Sequence, residues 1–109
     1  MTYSVKITNQ AEKDLRNIYM YIAYELQSVQ NAAAQLARLE ENICGLDQMP
    51  ERYRRYEREP WYSRGWRIMP VDHYCVFYVP DFEHKVVNIT RILYGGRDIG
   101  IILANSEKI

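Results

Sequence analysis

The second half of this chain carries arginine, tyrosine and histidine side chains at positions from which they could act on a charged substrate. Arg67 and Arg91 fall in β-type runs, where arginine is not a natural filler, so each is expected either to touch a target or to buttress a loop through an acid such as Glu57 or Glu59. Tyr94 closes the last such run; a phenol on an open sheet face can shuttle a proton, although packing under a C-terminal segment is its commoner fate. Arg97 follows after Gly95 and Gly96, with pairing to Asp98 or to helix carbonyls as its ordinary role. His73 titrates near neutrality and is a candidate base, but beside Asp72 a hydrogen-bonded turn residue is expected. His84 falls in a hairpin connection and is expected to be solvated. Cys44 and Cys75 have no CxxC or Cys/His spacing that would build a tetrahedral metal site. Ordinary buried thiols are expected, with no metal and no cofactor.

The densest chemistry lies in "ERYRRYEREPWYSR", residues 51–64. Arg52, Arg54, Arg55, Arg58 and Arg64 are interleaved with Tyr53, Tyr56, Trp61 and Tyr62. Such a mixture stacks on bases and neutralises phosphates, and it is equally the mixture enriched at protein hot spots. Three glutamates in the same stretch dilute the field and turn the reading toward a protein partner or an internal ion-pair network. A purely structural role has similar weight.

The elements that must position these residues follow from periodicity. "YSVKI" alternates and predicts a strand over 3–7. Thr8 or Asn9 caps a helix whose apolar face is Ala11, Leu15, Ile18 and Ile22, ending near Leu26. Ser28 caps a second helix with Val29, Ala32, Leu36, Leu39, Ile43 and Leu46 on one face, stopped by Pro50. Three β-type runs follow, over 66–71, 73–79 and 86–94, and then one or two helical turns in the tail. The order predicts an α+β fold in a single domain over 1–109: an N-terminal strand, an antiparallel helical hairpin, and a three-stranded antiparallel meander with both helices on one face. In the last strand Val87, Ile89 and Leu93 are expected to face the helices. Val86, Asn88, Thr90, Ile92 and Tyr94 would then line a second, partly polar face open for work.

With 48% apolar residues in 109, the chain can bury a core without a disulfide. Acids and bases balance at 14 each, which points to no particular partner by total charge. The distribution is uneven: residues 1–50 hold four bases and six acids, residues 51–97 nine bases and six acids. No run reaches the length of a membrane span, and the N-terminus has no secretory apolar segment, so a reducing cytoplasm is expected.

Four segments together, "VKIT..AEKDLRNIYMYIA", "MPERY", "RGWRIMPVDHYCVFY" and "VVNITRILYGGRD", resemble the RelE/ParE superfamily of bacterial toxins. These are the toxin halves of type II toxin-antitoxin modules, also called plasmid stabilisation proteins. The resemblance covers nearly the whole chain and implies a small toxin held inactive by a cognate antitoxin, as a homodimer or a hetero-oligomer with it. One branch of the superfamily cuts messenger RNA on the ribosome with a constellation of cationic side chains. The other inhibits DNA gyrase by protein binding. Aligned on its neighbours, Cys75 stands where the nuclease branch places an arginine, and Leu103 where it often places a tyrosine; Arg97 is the position that matches. A neutral thiol cannot stabilise charge on a crowded phosphorus, and losing one fixed donor costs about 100- to 1,000-fold in rate. The resemblance therefore implies a ParE-like toxin with no catalytic group and with gyrase as target, for which Arg52, Arg54, Arg55, Arg58, Trp61, Arg64 and Arg97 are the target- or partner-binding candidates. The alternative is a ribosome-dependent endoribonuclease drawing on Arg67, Arg91, Tyr94 and Arg97. A further alternative is a degenerate member that binds only its antitoxin.

Overall fold

The computed structural model describes residues 2–96 and 99–107. Strand β1 (Ser4–Ile7) leads into helix α1 (Asn9–Met20), which a π-helical turn extends over Tyr21–Glu25. Thr8 is the cap: its hydroxyl oxygen accepts from the Ala11 amide at 3.2 Å and its hydrogen goes to the Ile89 carbonyl at 2.9 Å. Gln27, in the left-handed region at φ 53°, turns the chain back. Ser28 then caps α2 (Val29–Cys44) by accepting from the Asn31 amide at 3.3 Å. Strands β2 (Arg67–Val71), β3 (Tyr74–Asp81) and β4 (Val86–Tyr94) follow, with helix α3 over Ile99–Glu107.

The strands form one sheet in the order β1-β4-β3-β2. β1 runs parallel to β4 and the remaining pairs are antiparallel, as the α+β reading requires. Ala11, Leu39, Ile43 and Leu46 of the helical layer bury against Met69, Val71, Val76, Tyr78, Val87, Ile89 and Ile92 of the sheet. Burying an aliphatic side chain of this size stabilises by about 1.5–3 kcal/mol. These residues are the main core.

The outward and inward alternation expected for β4 is interrupted by a bulge. Tyr78 pairs with Ile89 but Phe77 pairs with Arg91, so Thr90 is an extra residue and its hydroxyl donates to the Phe77 carbonyl at 3.0 Å. One inserted residue reverses every side chain beyond it. Ile92 therefore joins the helix-facing core and Leu93 turns to the opposite face, the reverse of the simple alternation.

That opposite face is not open. Trp61, Ile68, Phe77, Leu93 and Leu103 form a second core there, with Tyr56, Trp66, Cys75, Ile99 and Ile102 packed around it. The expectation of a partly polar working face fails because the loop before β2 and helix α3 both fold onto it. The loop is also pinned along the β2 edge: the Ile68 amide donates to the Arg54 carbonyl at 3.1 Å and the Tyr56 amide to the Trp66 carbonyl at 2.9 Å.

β1 accompanies β4 only as far as Ile89, which leaves the next backbone groups of β4 without a strand on that side. Helix α1 supplies the partners. The Asp14 carboxylate accepts from the Ile92 amide at 3.0 Å and from Arg91 Nε and Nη2 at 2.8 and 3.1 Å. Asp14 and Arg91 are both buried, with 6% and 8% of their surfaces exposed. Removing Asp14 takes the carboxylate from a buried guanidinium and the acceptor from the Ile92 amide, so Asp14→Ala is expected to lower stability by about 3–5 kcal/mol in urea unfolding. A loss under about 0.5 kcal/mol, ordinary for a surface site, would refute this assignment.

Candidate functional site

Of the side chains considered for phosphate chemistry, Arg67 and Arg91 serve separate structural tasks. Arg67 Nη1 donates to the Tyr53 and Glu51 carbonyls at 2.7 and 3.2 Å, so it clamps the preceding loop through backbone rather than through an acid. Arg91 is engaged with Asp14 below α1, and β3 lies between the two arginine-bearing strands. Tyr94 is 47% exposed, with its ring edge-on to Tyr74 at 5.8 Å. Arg97 lies outside the described residues. Cys75 is half-buried beside the second core, and burial pushes its thiol pKa up, partly opposed by the positive charge of Arg54. Tyr78, fully buried, donates its hydroxyl to the Pro50 carbonyl at 2.6 Å. Burial pushes its pKa up to about 12 against the opposing charges of Arg67 and Arg52.

His73 is exposed in the turn after β2, next to an Asp72 that Arg38 grips at 2.7 and 2.8 Å and Gln35 at 3.0 Å. These bonds, Arg38 first, hold the Asp72 carboxyl below its usual range. His84 is exposed, with its ring 2.8 Å from Asp81.

The arginine-rich loop divides by role. Trp61, 4% exposed, is interior, with its ring 6.3 Å from Trp66 and 6.0 Å from Tyr56. Arg55 stacks on Tyr62 at 4.1 Å and donates to the Tyr62 carbonyl. Arg52 lies 5.1 Å from the Tyr53 ring centre and donates to the Gln48 carbonyl at 2.7 Å. Glu59 accepts from the Ser63 hydroxyl and amide, which lower its pKa in that order. Arg52, Arg54, Arg58 and Arg64 are exposed.

A second surface escaped the periodicity argument. Met20, Tyr21, Tyr24, Leu26 and Val29 stand exposed at the tip of the helical hairpin, Tyr24 by 68%. Val29, expected on the apolar face of α2, is instead exposed on this tip as the first residue of that helix. The signal was present in a different form: from Asn17 to Ala37, Glu25 is the one charged residue. Aromatic and methionine side chains with few charges are the composition of an interface centre. Below the tip a groove of about 970 Å³ runs to the sheet, walled by Tyr21, Leu26, Tyr74, Tyr94 and Ile102 and floored by Asp14 and Arg91. Among the described residues no cluster of His, Cys, Asp or Glu is placed to hold a metal ion, and no helix is long and apolar enough to cross a membrane.

A family model described as the ParE toxin of the type II toxin-antitoxin system parDE matches residues 5–99. No curated protein matches the sequence. Among solved structures, the chromosomal ParDE system from P. aeruginosa is similar at 22% identity and TM-score 0.70, over 85% of this chain and 96% of that one. The RelBE2 toxin-antitoxin complex from Mycobacterium tuberculosis is similar at 24% identity and TM-score 0.61, over 86% and 99%. A RelE mutant from E. coli, in the free state, is similar at 12% identity and TM-score 0.67, over the full length of both chains.

Two measurements check the buried groups. Unfolded Tyr78 titrates near pH 10, so above that pH only the unfolded chain ionises there. Its contribution to stability is complete below about pH 10 and is lost as the pH rises toward about 12. Tyr78→Phe is expected to cost about 1 kcal/mol at neutral pH, and the gap from wild type should close across that alkaline range in urea unfolding. A gap that stays constant would contradict the buried assignment. Cys44, expected to be buried, is exposed at the last residue of α2, so native alkylation with iodoacetamide at about pH 8 is expected to modify it well before Cys75, the two equalising after unfolding.

Proposed function

The chain belongs to the ParE toxin family of type II toxin-antitoxin systems, and from that premise we propose that it is a cytoplasmic toxin, restrained by a cognate antitoxin, that acts by docking on DNA gyrase. The ParDE and RelBE structures it is similar to are toxin-antitoxin assemblies, which supports the antitoxin as partner.

The observation that carries the docking reading is the filled second face of the sheet. Cleavage through a 2′-hydroxyl needs preorganised cations around a phosphate in a pocket that admits it. Here Phe77, Trp61, Leu93 and Leu103 occupy that side of β3, Cys75 is uncharged, and Arg67 and Arg91 are committed to the loop and to Asp14. A protein that binds has no such requirement; it needs an accessible apolar surface with few charges, and the hairpin tip supplies one.

The purified protein is expected to inhibit gyrase supercoiling while leaving ribosome-bound message intact. Replacing both Tyr24 and Leu26 by Ser at the tip should weaken inhibition by about tenfold or more without lowering the melting temperature. Cleavage of message at codon positions, with gyrase unaffected, would overturn the docking reading in favour of the endoribonuclease.

A further inference from the structure

We propose that the arginine-rich loop over 51–64 is a docking surface for an acidic stretch of polypeptide carried by the antitoxin; this rests on the toxin-antitoxin reading above. The motif has no part in docking through the hairpin tip, and its charge is large for its size. Residues 51–67 hold six bases (Arg52, Arg54, Arg55, Arg58, Arg64, Arg67) and three acids (Glu51, Glu57, Glu59), a balance of +3 in a chain whose total is zero. The rest of the molecule is correspondingly negative. Such polarisation draws in a partner of negative charge and fixes its orientation.

The backbone under these charges is held on all sides. Arg55 pairs with Arg67 in an antiparallel bridge, the Arg54 and Trp66 carbonyls take amides of Ile68 and Tyr56, and Arg67 grips the Glu51 and Tyr53 carbonyls. Trp61 and Tyr56 anchor the loop in the second core. Arginines mounted on a fixed backbone lose less freedom when they bind than arginines on a mobile tail. Arg55 and Arg67 are spent on this framework, whereas Arg54 and Arg58 are exposed and their guanidinium groups make no hydrogen bond or ion pair with the described residues. A guanidinium presents paired donors that match a carboxylate.

The same geometry speaks against nucleic acid. Binding a single strand calls for aromatic faces on which bases stack. Trp61 is interior, Tyr56 and Trp66 pack against Phe77 at 5.1 and 6.0 Å, and Arg55 and Arg52 lie over the rings of Tyr62 and Tyr53. Glu51 and Glu57, exposed among the arginines, would repel an unbroken phosphate backbone. A peptide, whose carboxylates are spaced and whose own cations can meet those glutamates, is the better fit.

The test is fluorescence anisotropy of the full chain against a labelled peptide of alternating Glu and Gly, in parallel with a labelled oligouridylate of the same charge. The peptide is expected to bind, more weakly as salt rises from about 0.05 to about 0.3 M. R54E/R58E should lose about tenfold or more in affinity, while K6E/K13E, on the opposite half of the sequence, should lose less than about twofold. Thermal melting of each variant separates loss of binding from loss of fold. The antitoxin titrated against R54E/R58E should show the same direction of loss. No peptide binding, equal loss in both variants, or oligouridylate bound as tightly as the peptide would overturn the proposal. None of these readouts involves gyrase, so a failure of the target assignment would show separately, in the supercoiling assay alone.

Discussion

A sheet has two faces, and in this protein both are buried. The helical hairpin covers one; a loop rich in aromatic residues and the short C-terminal helix cover the other. Because Phe77 and Leu93 sit under Trp61 and Leu103, the sheet is a packed middle layer over most of its area, and the groove below the hairpin tip reaches only its end at Tyr74 and Tyr94. Everything proposed for function follows from that arrangement. The docking reading proposed above rests on this covered face, which leaves the outer surfaces for a partner.

The packed middle layer is made consistent by one extra residue and one carboxylate. The bulge at Thr90 sends Ile92 into the first core and Leu93 into the second, so a single strand feeds both. Asp14 then meets the part of β4 that β1 does not reach, binding a backbone amide and a buried guanidinium together. A buried ion pair contributes little net stability beside a well-packed apolar pair. Its value here is register: a helix slipped by one turn would take the Asp14 carboxylate away from the Ile92 amide and from the Arg91 guanidinium. The arginine in β4 is thus explained by the edge it completes.

Much of this was legible in the sequence. Thr8 and Ser28 cap the helices they were expected to cap, the strand and helix order follows the periodicity, and Cys75 reads correctly as a thiol shielded by its neighbours. What was not legible depends on contacts far apart along the chain. Alternation in β4 cannot reveal a bulge, since the inserted Thr90 is itself a good strand residue. Asp14 looks like any polar helix residue until β4 is placed beneath it. Trp61 and Tyr56 alternate with arginines as a surface motif would, but half of that alternation points inward. The hairpin tip was obscured for the opposite reason: its apolar residues continue the core pattern past the point where the core ends.

The surfaces left for function are of two kinds, one apolar and nearly uncharged at the hairpin tip, the other basic and rigid beside β2. The central claim, that the second core stays closed while the toxin engages its target, is tested most directly by hydrogen exchange of the toxin alone and bound to gyrase. The account predicts that amides of β3 and of α3 keep the protection they have in the free protein, while residues 17–29 gain protection on binding. Loss of protection in β3 and α3 on engagement, with 17–29 unchanged, would mean that the sheet face opens to act, and would contradict it.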